Sequence, residues 1–265
     1  MKFHPANKSL LSLALLLAIT ALSSGTAAAA DCAQAQYYEL RVYTTKSAGQ
    51  QKLVSDYWQN AAIPAYNRLG IQPIGVFTEL ADSPTSKIYV LIPCDSLDIF
   101  ASIPAKLAAD TTYQRDAAEY MGRPKSDPPY ARFESSLNIA FDAMKKLSVP
   151  SSTAERKPWI FELRTYLSPT EEKGVNKVKM FNSGEVPLMQ QVGLNPVFFS
   201  KTLAGSQMPN LVYMVSGENL EEHKKHWKAF GDSPVWKKLS ADPQYKDNVS
   251  KTNSVFLKRT PASQI

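Results

Sequence analysis

Two short stretches of the chain carry the side chains best suited to chemistry. Residues 38–43 read YELRVY and residues 161–166 read FELRTY. In an extended chain, successive side chains alternate between faces. Glu39, Arg41 and Tyr43 then share one face, as do Glu162, Arg164 and Tyr166. The other face carries Tyr38, Leu40 and Val42, or Phe161, Leu163 and Thr165, and should pack on a core. An arginine in such a set can hold a carboxylate or enolate oxygen, with tyrosine as donor and glutamate as base. The plainer reading is a Glu–Arg pair and a tyrosine hydroxyl satisfied across a sheet. The polar face should meet either a ligand pocket or a domain interface. Its duplication favours the structural reading, because active sites often degrade in one copy while fold signatures persist.

His223 and His226 are the other candidates, in the stretch EEHKKHW. Their spacing puts both rings on one helix face. No third ligand converges on them, and zinc prefers three or four His or Cys. No metal site is expected, and the pair reads as solvated or cap-side histidines. A histidine ligand to haem is the competing reading; no other cofactor is indicated. Trp58, Trp159, Trp227 and Trp236 read as core aromatics. No G-x-S-x-G, P-loop, Rossmann fingerprint or H-E-x-x-H occurs, so serine hydrolase, nucleotide and zinc-protease chemistry have no motif.

The elements that must position these residues come from an internal repeat. The two hexapeptides are 123 residues apart, and the same offset carries Ile63-Pro64 onto Val186-Pro187 and LGIQP (69–73) onto VGLNP (192–196). It also carries Leu97 onto Leu220 and Tyr113 onto Trp236. Each copy reads strand, helix, strand, strand, helix, strand. The strands of copy one are placed at 37–44, 73–80, 87–93 and 133–141, with a first helix over about 47–69 and a second starting near Asp95. In copy two, Ser168-Pro169-Thr170-Glu171 has the form of a capping box with Ser168 as N-cap. Gly70 and Gly193 are placed to end the first helices in left-handed geometry. The order βαββαβ is ferredoxin-like. Its helix-free sheet face must be buried. Two such sheets packed face to face give an α+β, pseudo-twofold dimeric α/β barrel within one chain. The boundaries follow as a domain at 31–144, a linker at 145–158 (KKLSVPSSTAERKP) and a second domain at 159–265.

Residues 1–30 are read as a cleaved Sec-type signal peptide. Lys2 and Lys8 precede the apolar run Leu10–Leu22, and cleavage is expected after Ala30. The mature protein is then periplasmic or secreted. The run is too short to span a bilayer, and no other stretch comes near the required length. In an oxidising compartment Cys32 and Cys94 should pair. Cys32 precedes the first strand and Cys94 ends the third, and antiparallel pairing of those strands brings the two together. A loop of about 60 residues closed this way contributes on the order of 2–4 kcal/mol. The whole chain has 265 residues with a formal net charge of +6. Loss of Lys2 and Lys8, and of no acid, takes the charge to +4. No dense basic run with interleaved aromatics occurs, so nucleic acid is not an expected partner. A composition of 44% hydrophobic and 20% charged residues excludes disorder, collagen and coiled coil as the main class.

Tyr38-Glu39-Leu40-Arg41-Val42-Tyr43 and Phe161-Glu162-Leu163-Arg164-Thr165-Tyr166, each followed by a helix, a Gly-x-x-Pro strand entry, an aliphatic strand and a second helix, resemble the NIPSNAP family. The resemblance extends in copy two to the Trp227 helix and Ser233-Pro234-Val235-Trp236. Copy one departs there, with Tyr113 in place of the tryptophan and an extra Pro-rich loop, 122–130. The resemblance implies the dimeric α/β-barrel superfamily and covers nearly all of the mature chain. It implies no established chemistry. Related barrels include cofactor-free monooxygenases and haem-degrading enzymes, but fold does not fix function. Two functions follow. One is an exported barrel that binds a small molecule or a partner, with the two domains paired within the chain and a homodimer left open. The other is a cofactor-independent or haem-linked monooxygenase-like enzyme. An enzyme should show one deep polar pocket in a single copy. A structural role should show equivalent packed Glu-Arg-Tyr clusters in both.

Overall fold

The computed structural model describes residues 34–81, 83 and 87–265, together with Met1 and Lys2. Residues 3–30 of the expected signal segment, and Cys32, lie outside the described residues.

The alternating hexapeptides do form strands. Copy one runs β1 (Tyr37–Thr44), α1 (Ala48–Tyr57), α2 (Ile63–Arg68), β2 (Gly75–Glu79), β3 (Ile88–Cys94), α3 (Leu97–Ala109), α4 (Thr111–Asp116), α5 (Ala118–Met121) and β4 (Arg132–Ala140). Copy two runs β5 (Ile160–Leu167), α6 (Glu171–Met180), α7 (Val186–Gln191), β6 (Pro196–Ala204), β7 (Asn210–Gly217), α8 (Leu220–Asp232), α9 (Pro234–Ala241) and β8 (Lys251–Arg259). Ser47, Ser96 and Asn219 cap α1, α3 and α8 with side-chain oxygens. The cap of α6 is Thr170, accepting from the Lys173 amide, two residues beyond the Ser168 predicted from the sequence. Gly70 and Gly193 take φ of 76° and 84°. The amides that follow them, of Ile71 and Leu194, reach back to the carbonyls of Tyr66 and Met189 at 3.0 Å. This is the Schellman closure that a left-handed residue permits.

Each first helix widens into one π turn, at Trp58–Ala62 and at Phe181–Glu185. Both turns lead directly into Ile63-Pro64 or Val186-Pro187. A proline cannot donate the next ladder hydrogen bond, and a π turn is one way a helix absorbs that interruption.

All strand pairs are antiparallel, and the eight strands close in the order β1-β3-β2-β8-β5-β7-β6-β4. Within each copy the strands follow the ferredoxin-like arrangement, β4-β1-β3-β2 and β8-β5-β7-β6. The copies join at two seams, β2 with β8 and β4 with β6. The barrel interior is apolar and drawn from both copies: Tyr38, Leu40, Phe77 and Leu91 meet Phe161, Leu163, Phe198 and Leu257. Its packing is close. A Cβ on Gly75 would stand 2.5 Å from the Phe77 ring and 2.9 Å from Ile265. Outside the barrel, each copy has its own helix-covered core, one around Tyr43, Trp58 and Tyr66, the other around Phe181, Phe199 and Tyr213.

Candidate functional site

Strand alternation sends Tyr38, Leu40, Phe161 and Leu163 into the barrel. It must therefore send Glu39, Arg41, Tyr43, Glu162, Arg164 and Tyr166 outward, beneath the helices of their own copy. The polar face thus meets the helices of its own copy rather than the interior shared between copies.

In copy one, Arg41 grips Glu39 bidentately, with Nε 2.6 Å from Oε1 and Nη2 2.9 Å from Oε2. Nη2 also donates to the Tyr66 hydroxyl at 3.2 Å. Ser135 on β4 donates to Glu39 Oε1 at 2.6 Å. The guanidinium lies 5.8 Å from the ring centres of both Trp58 and Phe133. Tyr43 packs edge-on to Trp58 and Tyr130.

In copy two, four donors surround the Glu162 carboxylate. Oε1 accepts from Arg164 Nη1 at 2.6 Å and from Ser254 at 2.6 Å. Oε2 lies 2.8 Å from His223 Nε2 and accepts from Trp227 Nε1 at 2.7 Å. Because a carboxylate only accepts, Nε2 is the donor in that contact. Burial pushes the Glu162 carboxyl up, but the His223 hydrogen bond, the Arg164 charge, Ser254 and Trp227 together bring it down to about 2. Arg164 Nη2 continues the chain to the Tyr166 hydroxyl at 3.1 Å, which meets the Tyr213 hydroxyl at 2.9 Å. The guanidinium sits 4.6 Å from the Trp227 ring centre.

His223 is fully buried, so the expectation of solvated histidines fails for it. The reason is helical: His223, Trp227 and Phe230 recur at i, i+4 and i+7 and face the sheet together. That stripe was the available signal. At the 123-residue offset, copy one has Phe100 and Pro104 instead of His223 and Trp227, so the extended network belongs to copy two alone. Ser135 and Ser254 are 119 apart rather than 123, because copy one is four residues longer before β4. A gapless comparison of the copies passes over that pair.

A second buried ion pair, Lys177 with Glu185 at 2.5 Å, lies against Tyr166, Phe181 and Trp236. Burial raises the Glu185 carboxyl, although Lys177 opposes this. Copy one places Val54 and Ala62 at these positions.

Among the described residues, no group of three or more His, Cys, Asp or Glu could hold a metal ion. Among them, too, no helix is long and apolar enough to cross a membrane. Cys94 is buried, opposite Tyr37 in the β1–β3 ladder, and has no disulfide partner among the described residues. The expected Cys32–Cys94 bridge thus lies outside them.

Two cavities stand apart from the Glu-Arg-Tyr sets. One, of about 160 Å³, opens at a barrel end between the copies, with Glu134, Ser136, Thr202, Asn210 and Asn253 in its wall. The other, of about 600 Å³, lies at the β2–β8 seam beside the 156–159 segment and the start of α8. Neither is lined by Glu39, Arg41, Tyr43, Glu162, Arg164 or Tyr166.

The NIPSNAP family model matches the chain twice, at 38–123 and 161–264. Among solved structures, a candidate monooxygenase from Lactobacillus acidophilus is similar at 9% identity and a TM-score of 0.58, covering 87% of this chain and 97% of that one. A candidate monooxygenase from Fusobacterium nucleatum is similar at 8% identity and a TM-score of 0.53, covering 85% of this chain and 93% of that one. A NIPSNAP family protein of unknown function from Agrobacterium tumefaciens is 14% identical with a TM-score of 0.34, covering 38% of this chain and 86% of that one. At such identities the likeness to the two candidate monooxygenases carries the fold alone. No curated protein matches the chain.

Proposed function

The chain belongs to the NIPSNAP family, and from that premise we propose that it is an exported barrel that binds a small molecule rather than transforming one. One observation carries the reading: both Glu–Arg pairs are locked into packed clusters, while the larger cavity lies elsewhere. A carboxylate at about 2 with four donors on it is a poor general base near neutral pH. A cavity of about 600 Å³ has the size of a small-molecule site.

Export is part of the proposal. The 1–30 segment is read as a signal peptide that delivers the protein to the periplasm or beyond. There Cys32 pairs with Cys94. In support, Cys94 faces Tyr37 in the β1–β3 ladder, and Cys32 precedes Tyr37 in the sequence with only four residues between them. Burial pushes the Cys94 thiol up to about 12, which speaks against a free reactive thiolate.

The second reading, a cofactor-independent or haem-linked monooxygenase-like enzyme, is favoured by the copy-two His223–Glu162 pair, which has no counterpart in copy one. Native mass spectrometry with an absorbance spectrum, on protein purified from the periplasm, separates the two. The expected species begins at Asp31, weighs two hydrogens less than the reduced chain and carries a non-covalent small molecule without a Soret band. A Soret band would transfer the assignment to the haem-linked enzyme. A retained leader would remove export.

A further inference from the structure

We infer that the seam cavity selects an organic anion: an apolar or aromatic body bearing a carboxylate, sulfonate or comparable group. The inference rests on the small-molecule reading of that cavity and adds the ligand's chemistry. The wall has two characters. Leu80, Trp159, Ile160 and Leu220 supply apolar surface. Arg156, Lys157, Lys258 and Arg259 supply four basic groups against one acid, Glu218, among the described lining residues.

Two of these cations are uncompensated. Lys157 pairs with Glu155. Among the described residues, the Arg156 guanidinium donates only to the Ser263 carbonyl, at 3.0 Å. Arg259 donates to neutral oxygens only, the Thr153 hydroxyl and the carbonyls of Ser152 and Lys157. Neither arginine has a carboxylate partner among the described residues. Arg259 is half-buried, and both burial and the neighbouring Arg156 charge act against its protonated form. Arg156 is exposed, so the unbalanced charge weighs chiefly on half-buried Arg259, and an anion entering the cavity that both line would relieve the repulsion Arg259 meets from Arg156. A planar guanidinium also suits a carboxylate or sulfonate oxygen pair. The apolar wall would give a wholly inorganic ion nothing, so the ligand should carry both parts.

The test uses the mature protein and two dyes that share one ring system. 1-Anilinonaphthalene-8-sulfonate is the anion, and N-phenyl-1-naphthylamine lacks the sulfonate. Fluorescence titrations are run on the wild type, on Arg156→Asn and on Leu220→Trp. Asparagine tolerates the left-handed backbone of Arg156, at φ 51°. The tryptophan occupies the cavity from a position already 39% exposed, so the fold is spared. The sulfonate should bind with one-to-one stoichiometry and at least tenfold more tightly than the neutral dye. Arg156→Asn should weaken the sulfonate about tenfold and leave the neutral dye unchanged, and Leu220→Trp should block both. Equal binding of the two dyes, blocked by Leu220→Trp but indifferent to Arg156→Asn, would overturn the anion inference and leave the small-molecule reading standing. No binding by either dye, or binding indifferent to Leu220→Trp, would overturn both.

Discussion

Glu162 owes its charge to its four donors, and that dependence has a pH signature. Its folded carboxyl lies at about 2, below the ordinary 4.5. A depressed carboxyl adds stability that is complete above the unfolded value and is lost as pH falls through the folded one. The contribution should therefore fade from about pH 5 down to about pH 2, on the order of 3 kcal/mol in all. Glu162→Gln should be less stable than the wild type at pH 6 and should lose less between pH 6 and pH 2.5, as read by urea unfolding. Parallel losses in the two proteins would mean that the carboxylate is not held by its neighbours.

At the scale of the element, the two first helices solve one packing problem in two ways. Both bend through a π turn before a proline, yet copy one fills the space with Val54 and Ala62 and copy two with the Lys177–Glu185 pair. The apolar solution shows that the bend itself needs no charge. Removing one member of a buried pair strands the other, at about 3–5 kcal/mol, whereas a volume-matched apolar replacement of both is often neutral. Lys177→Met should accordingly lower the melting temperature by several degrees, and Lys177→Met with Glu185→Leu should restore most of it. If the double variant is the less stable of the two, the pair contributes more to this helix than packing does.

At the scale of the whole molecule, the halves share one interior. The Phe77 and Phe161 rings, one from each copy, lie 4.8 Å apart across the β2–β8 seam. Neither sheet can bury its inner face without the other. Thermal unfolding should thus be a single transition. Phe77→Ala and Phe161→Ala should each destabilise it by about 3–5 kcal/mol. Their double variant should fall short of the sum by about 0.5–3 kcal/mol, because the two rings touch. Two separate transitions in Phe77→Ala would mean that copy two folds without its partner's sheet.

The amino-acid sequence by itself determined the repeat, the strand and helix order, the glycine-capped helix ends and the inward apolar faces. All are local periodicities or backbone preferences, and they recur at a constant offset. That was enough to imply a barrel and the NIPSNAP family. It also determined that Glu39, Arg41 and Tyr43, like their counterparts, share a face. Tertiary structure decided which surface that face meets, because either face of an isolated amphipathic strand can find a partner. It placed the set under its own helices and brought Ser135 and Ser254 to it from strands about a hundred residues away. It also buried His223 against Glu162, where a lysine-rich turn had suggested solvent. The seam cavity, too, exists only because β8 of one copy lies beside β2 of the other, bringing Arg156 and Arg259 together with Leu80. Such contacts join residues of unlike sequence neighbourhoods, and no spacing rule along the chain records them.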